Sequence, residues 1–396
     1  MRDNFNNFAP APGICLENAP ARPHIARSAI EELISMKLLL GPPASRRDEG
    51  HAFAIGAFQS RPRSFTLWSR LALLVLACAL VLPAEARKGA REIPSASLLG
   101  RNYLRLADWA RANNFEVHWL KQDEIVQVAN HSTRMVFEVD SRAAEINGTS
   151  VKLCYPVLMR NGSPCLTQLD ADATLRPLLY PARNRPGAKI RNIVLDPGHG
   201  GRDPGNQDGA HQEKRYTLLL AQELADQLKR AGFRVSLTRT TDTLIDLPDR
   251  PDIARRRGAD LFISLHWNSI ATGRSNVKGA QTYCLTPAGA PSSNADAGAG
   301  GGGSNPGNRL NDKNVLLAYE IQTALRKGLG TDDQGVRRAR FWVLRDATMP
   351  AVLIEGGYMS HPSESKHIYD PAYRSQMARA ILEGIQAYKT QAERSR

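Results

Sequence analysis

At 396 residues, 42% hydrophobic and 23% charged, the chain is long enough for two folded domains and is not disordered overall. A formal charge of +13 favours an anionic partner. No zinc finger, RNA-binding motif or basic stretch interleaved with aromatics accompanies that charge, which argues against nucleic acid and leaves an anionic cell wall or membrane surface.

Residues 1–60 are rich in Pro, Ala, Arg and Asn, lack sustained periodicity, and read as a disordered or non-native extension. The strongest apolar run follows, Leu71–Leu82, with Arg61, Arg63 and Arg70 before it and Ala84-Glu85-Ala86 after it. That order of basic, apolar and small residues marks 61–86 as a cleaved secretory signal, with translation starting near Arg61–Leu67. The run is too short to cross a bilayer comfortably. The mature chain is therefore expected to be periplasmic or secreted, without a stable membrane span. Cys154, Cys165 and Cys284 survive cleavage. An Asn161-Gly162 hairpin sets Cys165 opposite Leu158, so the sequence implies no bridge to Cys154.

Residues 95–180 read as a small α+β domain. Tyr103–Ala110 has helical spacing, and short alternating runs follow at Ile125–Val128, Met135–Val139 and Val151–Leu158, punctuated by Asn147-Gly148 and Asn161-Gly162. The Pro/Gly-rich stretch 181–189 is a linker. Beyond it, over 190–390, strands and helices alternate. Ile193–Leu195 is a buried strand, Tyr216–Arg230 an amphipathic helix, Arg234–Thr238 a strand and Arg250–Gly258 a short helix. The strand Leu261–Leu265 and helices at Val315–Leu325 and Gln376–Tyr388 complete the pattern. Such alternation predicts a three-layer αβα, mostly parallel α/β domain.

Four residues stand out. His199, His266 and Glu355 each end or follow an apolar strand, and Glu213 opens the first long helix. In open α/β sheets the site lies beyond the carboxyl ends of the strands, so residues distant in sequence converge there. Two imidazoles and one carboxylate can hold Zn²⁺ with a position open, and a second carboxylate can act as general base. Taken singly, each residue has a structural reading. Asp196 is an alternative metal contact or an orienter of His199, and His211 is a competing ligand.

The motifs Leu195-Asp196-Pro197-Gly198-His199-Gly200-Gly201, Glu213-Lys214, Ser264–Ser269 and Val352–Ser360 resemble the zinc-dependent N-acetylmuramoyl-L-alanine amidases, from about Ile190 to Tyr388. Thr238–Asp242, the Arg250 segment, Gly279–Tyr283, Gly335–Ala339 and Val343–Arg345 also agree. The resemblance implies zinc ligands at His199, Glu213 and His266, a catalytic carboxylate at Glu355, and peptidoglycan as substrate, for wall remodelling or daughter-cell separation. It leaves room for a protein activator. Residues 95–180 loosely resemble the copper-amine-oxidase N-terminal-like module, with no copper site inferred. Two departures from the family, Trp267 and His361, are candidates to reshape the cleft. The Gly-rich insertion at 287–312 is expected to be a mobile loop rather than the inhibitory helix some relatives carry near this point, because Gly disfavours helix by about 1 kcal/mol per residue. The competing functions are another zinc hydrolase, such as a carboxypeptidase or deacetylase, and a wall-binding protein with a degenerate site.

Overall fold

The computed structural model describes residues 93–271, 273, 276–295 and 301–394. The expected extension at 1–60 and the signal at 61–86 lie outside the described residues.

The apolar strands of the second region are continuous in sequence because both of their faces are covered. Along Asn192–Pro197, Ile193 and Leu195 enter one core and Val194 the other. The same split separates Val352 and Ile354 from Ala351 and Leu353 in Ala351–Tyr358. A period of two between two covered faces yields an unbroken hydrophobic run. The helices Glu213–Arg230, Asn311–Leu329 and Pro371–Glu393 pack together on one face. Asp249–Arg256 and Trp342–Arg345 lie on the other, which makes three layers.

Strand order in this part is Arg234–Leu237, Asn192–Pro197, Leu261–Asn268, Ala351–Tyr358, Ala280–Leu285 and Asp333–Ala339. All neighbours are parallel except Ala280–Leu285 against Ala351–Tyr358. The sheet then continues into the N-terminal region. Val336 pairs with Val151, and Thr149–Lys152, Ala143–Ile146, Arg134–Glu138, Ile125–Ala129 and Glu116–Lys121 extend it as an antiparallel meander. Eleven strands thus share one sheet, and the described residues fall within one compact unit. The stretch 181–189, free of helix and strand, is held down as well: Asn184 N–H donates to Ala392 O, and its Oδ1 accepts from Lys313 Nζ.

Two expectations change and one holds. Tyr103–Ala110 is not one helix. Arg101–Arg105 is a strand, because Tyr103, Leu104 and Arg105 pair with Thr167, Leu166 and Cys165, and the helix starts only at Leu106. Cross-strand pairing overrides local spacing here. Cys165 does face Leu158, and all three described cysteines are free and buried. The Gly-rich insertion is pinned at its start: Arg340 donates to Pro287 O and Ala290 O, Tyr155 to Gly289 O, and Arg142 to Ser292 O and Ala295 O. Its end is helical, with Pro306–Leu310 running into Asn311–Leu329. Residues 296–300 lie outside the described ones.

Candidate metal centre and active site

The loop after Asn192–Pro197 is gathered by two buried guanidinium groups. Arg239 donates to Pro197 O and Gly198 O, and Arg250 to Pro197 O and His199 O. Both arginines are at most 3% exposed, and their donors satisfy carbonyls that would otherwise be buried unpaired. Held this way, His199 adopts a left-handed backbone, φ +60°, which a non-glycine residue takes only under constraint. Gly198 has no side chain because a Cβ there would collide with the His266 ring. At Gly205 a Cβ would come within 2.6 Å of His199 Cδ2 and 2.7 Å of Glu213 Oε2.

Around this loop His199, Glu213 and His266 present donor atoms that all lie within 4.8 Å of one another. Glu213 is the hub. Its Oε2 is 3.1 Å from His199 Nε2, and its Oε1 is 3.0 Å from His266 Nδ1. The backbone of Asn206 and Trp267 also donates to its two oxygens. On the far side of His199, Asp203 Oδ2 lies 2.7 Å from Nδ1, fixing the ring and its tautomer. Two imidazoles and a carboxylate, with one imidazole anchored by a second carboxylate and no Cβ filling the space between them, fit a zinc-type site.

Glu355 lines the same cavity of about 270 Å³ as these three residues and Asp203. It is 5% exposed, and its Oε2 has no hydrogen-bond partner among the described residues. The titration behaviour separates the groups. Burial opposes charging of His199, but Glu213 and Asp203 outweigh it and push this imidazole up to about 10. Burial likewise opposes ionisation of Glu213, yet the two imidazoles hold it well below the usual range. For Glu355, burial and then the Glu213 charge push the carboxyl well above that range. A metal held by these residues would supply positive charge beside both carboxylates.

The structure therefore brings His199, Glu213, His266 and Glu355 together, and it excludes the alternatives. Asp196 is fully buried and accepts from Arg250, Thr238 and Ser264, so it anchors the loop through Arg250 and does not join the cluster. His211 stacks on Tyr369 at 3.8 Å and bonds the Tyr216 hydroxyl. Trp267 points into the core against Gly356, and His361 accepts from Ser363 and Glu364 at the start of the next helix. Neither lines the cavity. Sequence reasoning missed Asp203 and Asn206, as well as the walls built by Leu244–Leu247 and Phe341–Val343. Asp203 had a signal, an acid four residues after His199 in a tight loop.

A sequence profile of the N-acetylmuramoyl-L-alanine amidase family matches residues 193–387. The chain is 35% identical over 250 residues to N-acetylmuramoyl-L-alanine amidase AmiC of Neisseria meningitidis, covering 57% of this chain and 58% of that protein. It is 33% identical over 234 residues to AmiA of Escherichia coli, covering 52% of this chain and 79% of that one. It is 34% identical to a probable cell wall amidase, LytH, of Staphylococcus saprophyticus, covering 50% of this chain and 59% of that protein. The chain thus spans less than two thirds of the AmiC and LytH lengths. Among solved structures, the amidase AmiC2 of Nostoc punctiforme is 30% identical with a TM-score of 0.43, over 51% of this chain and 98% of that one.

Proposed function

This chain belongs to the N-acetylmuramoyl-L-alanine amidase family, and from that premise we propose that it hydrolyses the amide between N-acetylmuramic acid and L-alanine in peptidoglycan with one bound Zn²⁺. The observation that carries the reading is the convergence of three ligand-type donors within 4.8 Å on the cavity that also holds a carboxyl oxygen of Glu355 without a partner among the described residues. His199, Glu213 and His266 would hold the zinc. When bound, the ion supplies Lewis-acid polarisation of the scissile carbonyl and acidifies water. Asp203 keeps His199 oriented, and Glu213 is steadied by two backbone N–H groups and the Asn206 amide. Glu355 takes a proton from the attacking water at its carboxylate and delivers it to the departing alanine nitrogen. Burial and the Glu213 charge raise its pKa, a direction that makes the carboxylate a stronger base toward the attacking water.

The chain's excess of positive charge suits an anionic wall, and export through the 61–86 signal would deliver the enzyme to the periplasm or beyond. Residues 95–180 would bind the wall or act as a spacer. The test is to digest intact peptidoglycan with the purified full chain. New L-alanine amino ends on intact glycan, abolished by chelation and restored by zinc, are expected. Release of any other terminus, or activity indifferent to chelation, rejects the proposal.

A further inference from the structure

The sheet face that carries Glu355 continues past the metal cavity, and the reaction leaves its next side chains without a role. Register sets Gln281 beside Glu355 and Tyr283 beside Leu353. Arg337 pairs with Tyr283, and the bridge from Val336 to Val151 brings Lys152 alongside Arg337. Alternation fixes the face. Val336 and Val151 join the core shared with the helix Asn311–Leu329, and Thr282 Oγ1 donates to Gln322 of that helix. Arg337 and Lys152 therefore turn the other way, to the face of Leu353 and Glu355.

The polar groups along this row are under-used. Gln281 donates Nε2 to the Tyr358 hydroxyl at 3.3 Å, but its Oε1 has no partner among the described residues, like the Oε2 of Glu355 next to it. Arg337 spends Nε and Nη2 on Gln334 of its own strand, at 3.1 and 3.0 Å. This curls the guanidinium toward the strand end where Gln281 and Tyr358 lie. The Lys152 side chain makes no hydrogen bond or ion pair among the described residues. Arg142 is 7% exposed and bonds Leu153 O, Ser292 O and Ala295 O, yet its buried Nη2 has no acceptor among the described residues. Burial, then repulsion from Arg337 and Arg142, pulls the Lys152 ammonium down, and Glu138 is the one carboxylate that opposes this. Three cations gather at a seam, with the exposed Glu138 acting on Lys152 and the buried Asp170 on Arg142, and an anion at the Lys152–Arg337 side would stabilise the arrangement.

We propose that Arg337 and Lys152, backed by Arg142, form a carboxylate-binding subsite for the peptide arm of the substrate, completed across the seam by the N-terminal region. The proposal rests on the amidase reading. Scale agrees with it. Two and three strand spacings of about 4.8 Å put Arg337 and Lys152 roughly 10 and 14 Å from the strand of Glu355. An extended peptide at about 3.4 Å per residue covers that distance in three to four residues. The subsite also gives the 95–180 region a direct part in choosing the substrate.

The experiment compares a soluble muramyl peptide bearing free carboxylates with the same compound as its carboxamide, cut by the full chain and by Lys152→Gln, Arg337→Gln and Lys152→Arg. Wild type is expected to show a KM about tenfold lower for the acid. Each glutamine variant erases that preference by raising KM for the acid alone, and Lys152→Arg keeps it. Equal KM for both compounds in wild type, or a glutamine variant that slows both alike, overturns the subsite. If wild type cuts neither compound, the amidase reading is what fails. Calorimetric binding of the two peptides to the full chain then decides the subsite by itself. Tighter binding of the acid, lost in Lys152→Gln, supports it, and equal binding rejects it.

Discussion

Two carboxyl groups buried near the ends of central strands behave in opposite ways. Asp196, on Asn192–Pro197, is fully enclosed and fully satisfied, with Arg250 Nη1 at 2.9 Å and the Thr238 and Ser264 hydroxyls at 2.6 and 2.8 Å. Burial opposes its ionisation, yet Arg250 and the two hydroxyls hold it below the usual carboxylate range. Glu355, on Ala351–Tyr358, is nearly as buried but has the Glu213 charge for a neighbour and an oxygen with no donor among the described residues. Both carry desolvation penalties of the same kind, and only one is compensated. The compensated group builds the loop that aims His199. The uncompensated one is held ready for a proton, and a fold that keeps such a group sacrifices stability for chemistry.

Exchanging the two acids for their amides breaks this comparison in opposite directions. Glu355→Gln is expected to lower turnover by about 10²–10⁴-fold while zinc content is unchanged. The folded chain should be no less stable, because a poorly compensated charge has been removed. Loss of zinc together with activity, measured by metal analysis on the same sample, would instead make Glu355 part of the metal's support. Asp196→Asn strands Arg250 in the interior and is expected to destabilise the chain by about 3–5 kcal/mol in denaturant titration. The pH dependence follows from the sign of the shift. A carboxyl depressed by folding adds stability above its unfolded pKa, about 3.9, and loses it as pH falls through the lower folded value. Wild type should therefore lose stability on acidification more steeply than Asp196→Asn. Parallel acid-side curves would show that Arg250 and the hydroxyls do not carry the effect.

How much of this was legible in the sequence depended on whether the signal was local. His199, Glu213, His266 and Glu355 were visible because strand-end placement and glycine neighbours mark each one separately. The central strands were visible because two-sided burial leaves an unbroken apolar run. The single Val336–Val151 bridge that joins the N-terminal meander to the central sheet left no such mark, since edge pairing is a backbone matter and Val151 alternates like any half-buried strand residue. Ala280–Leu285 and Asp333–Ala339 were quoted as motifs without being read as strands, because Gln281, Arg337 and Arg338 interrupt their apolar character. Asp196 was weighed as the orienter of His199 and Asp203 was missed for a related reason. Both flank His199, and only the fold shows which one faces the ring and which faces Arg250.

That last distinction yields the smallest expected effect and the sharpest one for the centre itself. If Asp203 is the residue that orients His199, Asp203→Asn keeps a hydrogen-bonding group beside Nδ1 but removes the charge that fixes the donor tautomer. Zinc affinity should fall about 10–100-fold in competition with a chelator, with global stability nearly unchanged, since Asp203 lies on a half-exposed loop and Asp196 still anchors Arg250. Turnover at saturating zinc should recover most of the wild-type value. A variant that binds zinc normally would remove Asp203 from the centre and leave the positioning of His199 to the carbonyl contacts of Arg239 and Arg250. A variant that loses stability as Asp196→Asn does would mean that the loop from Gly198 to Gly205 folds as one unit, with both acids holding it.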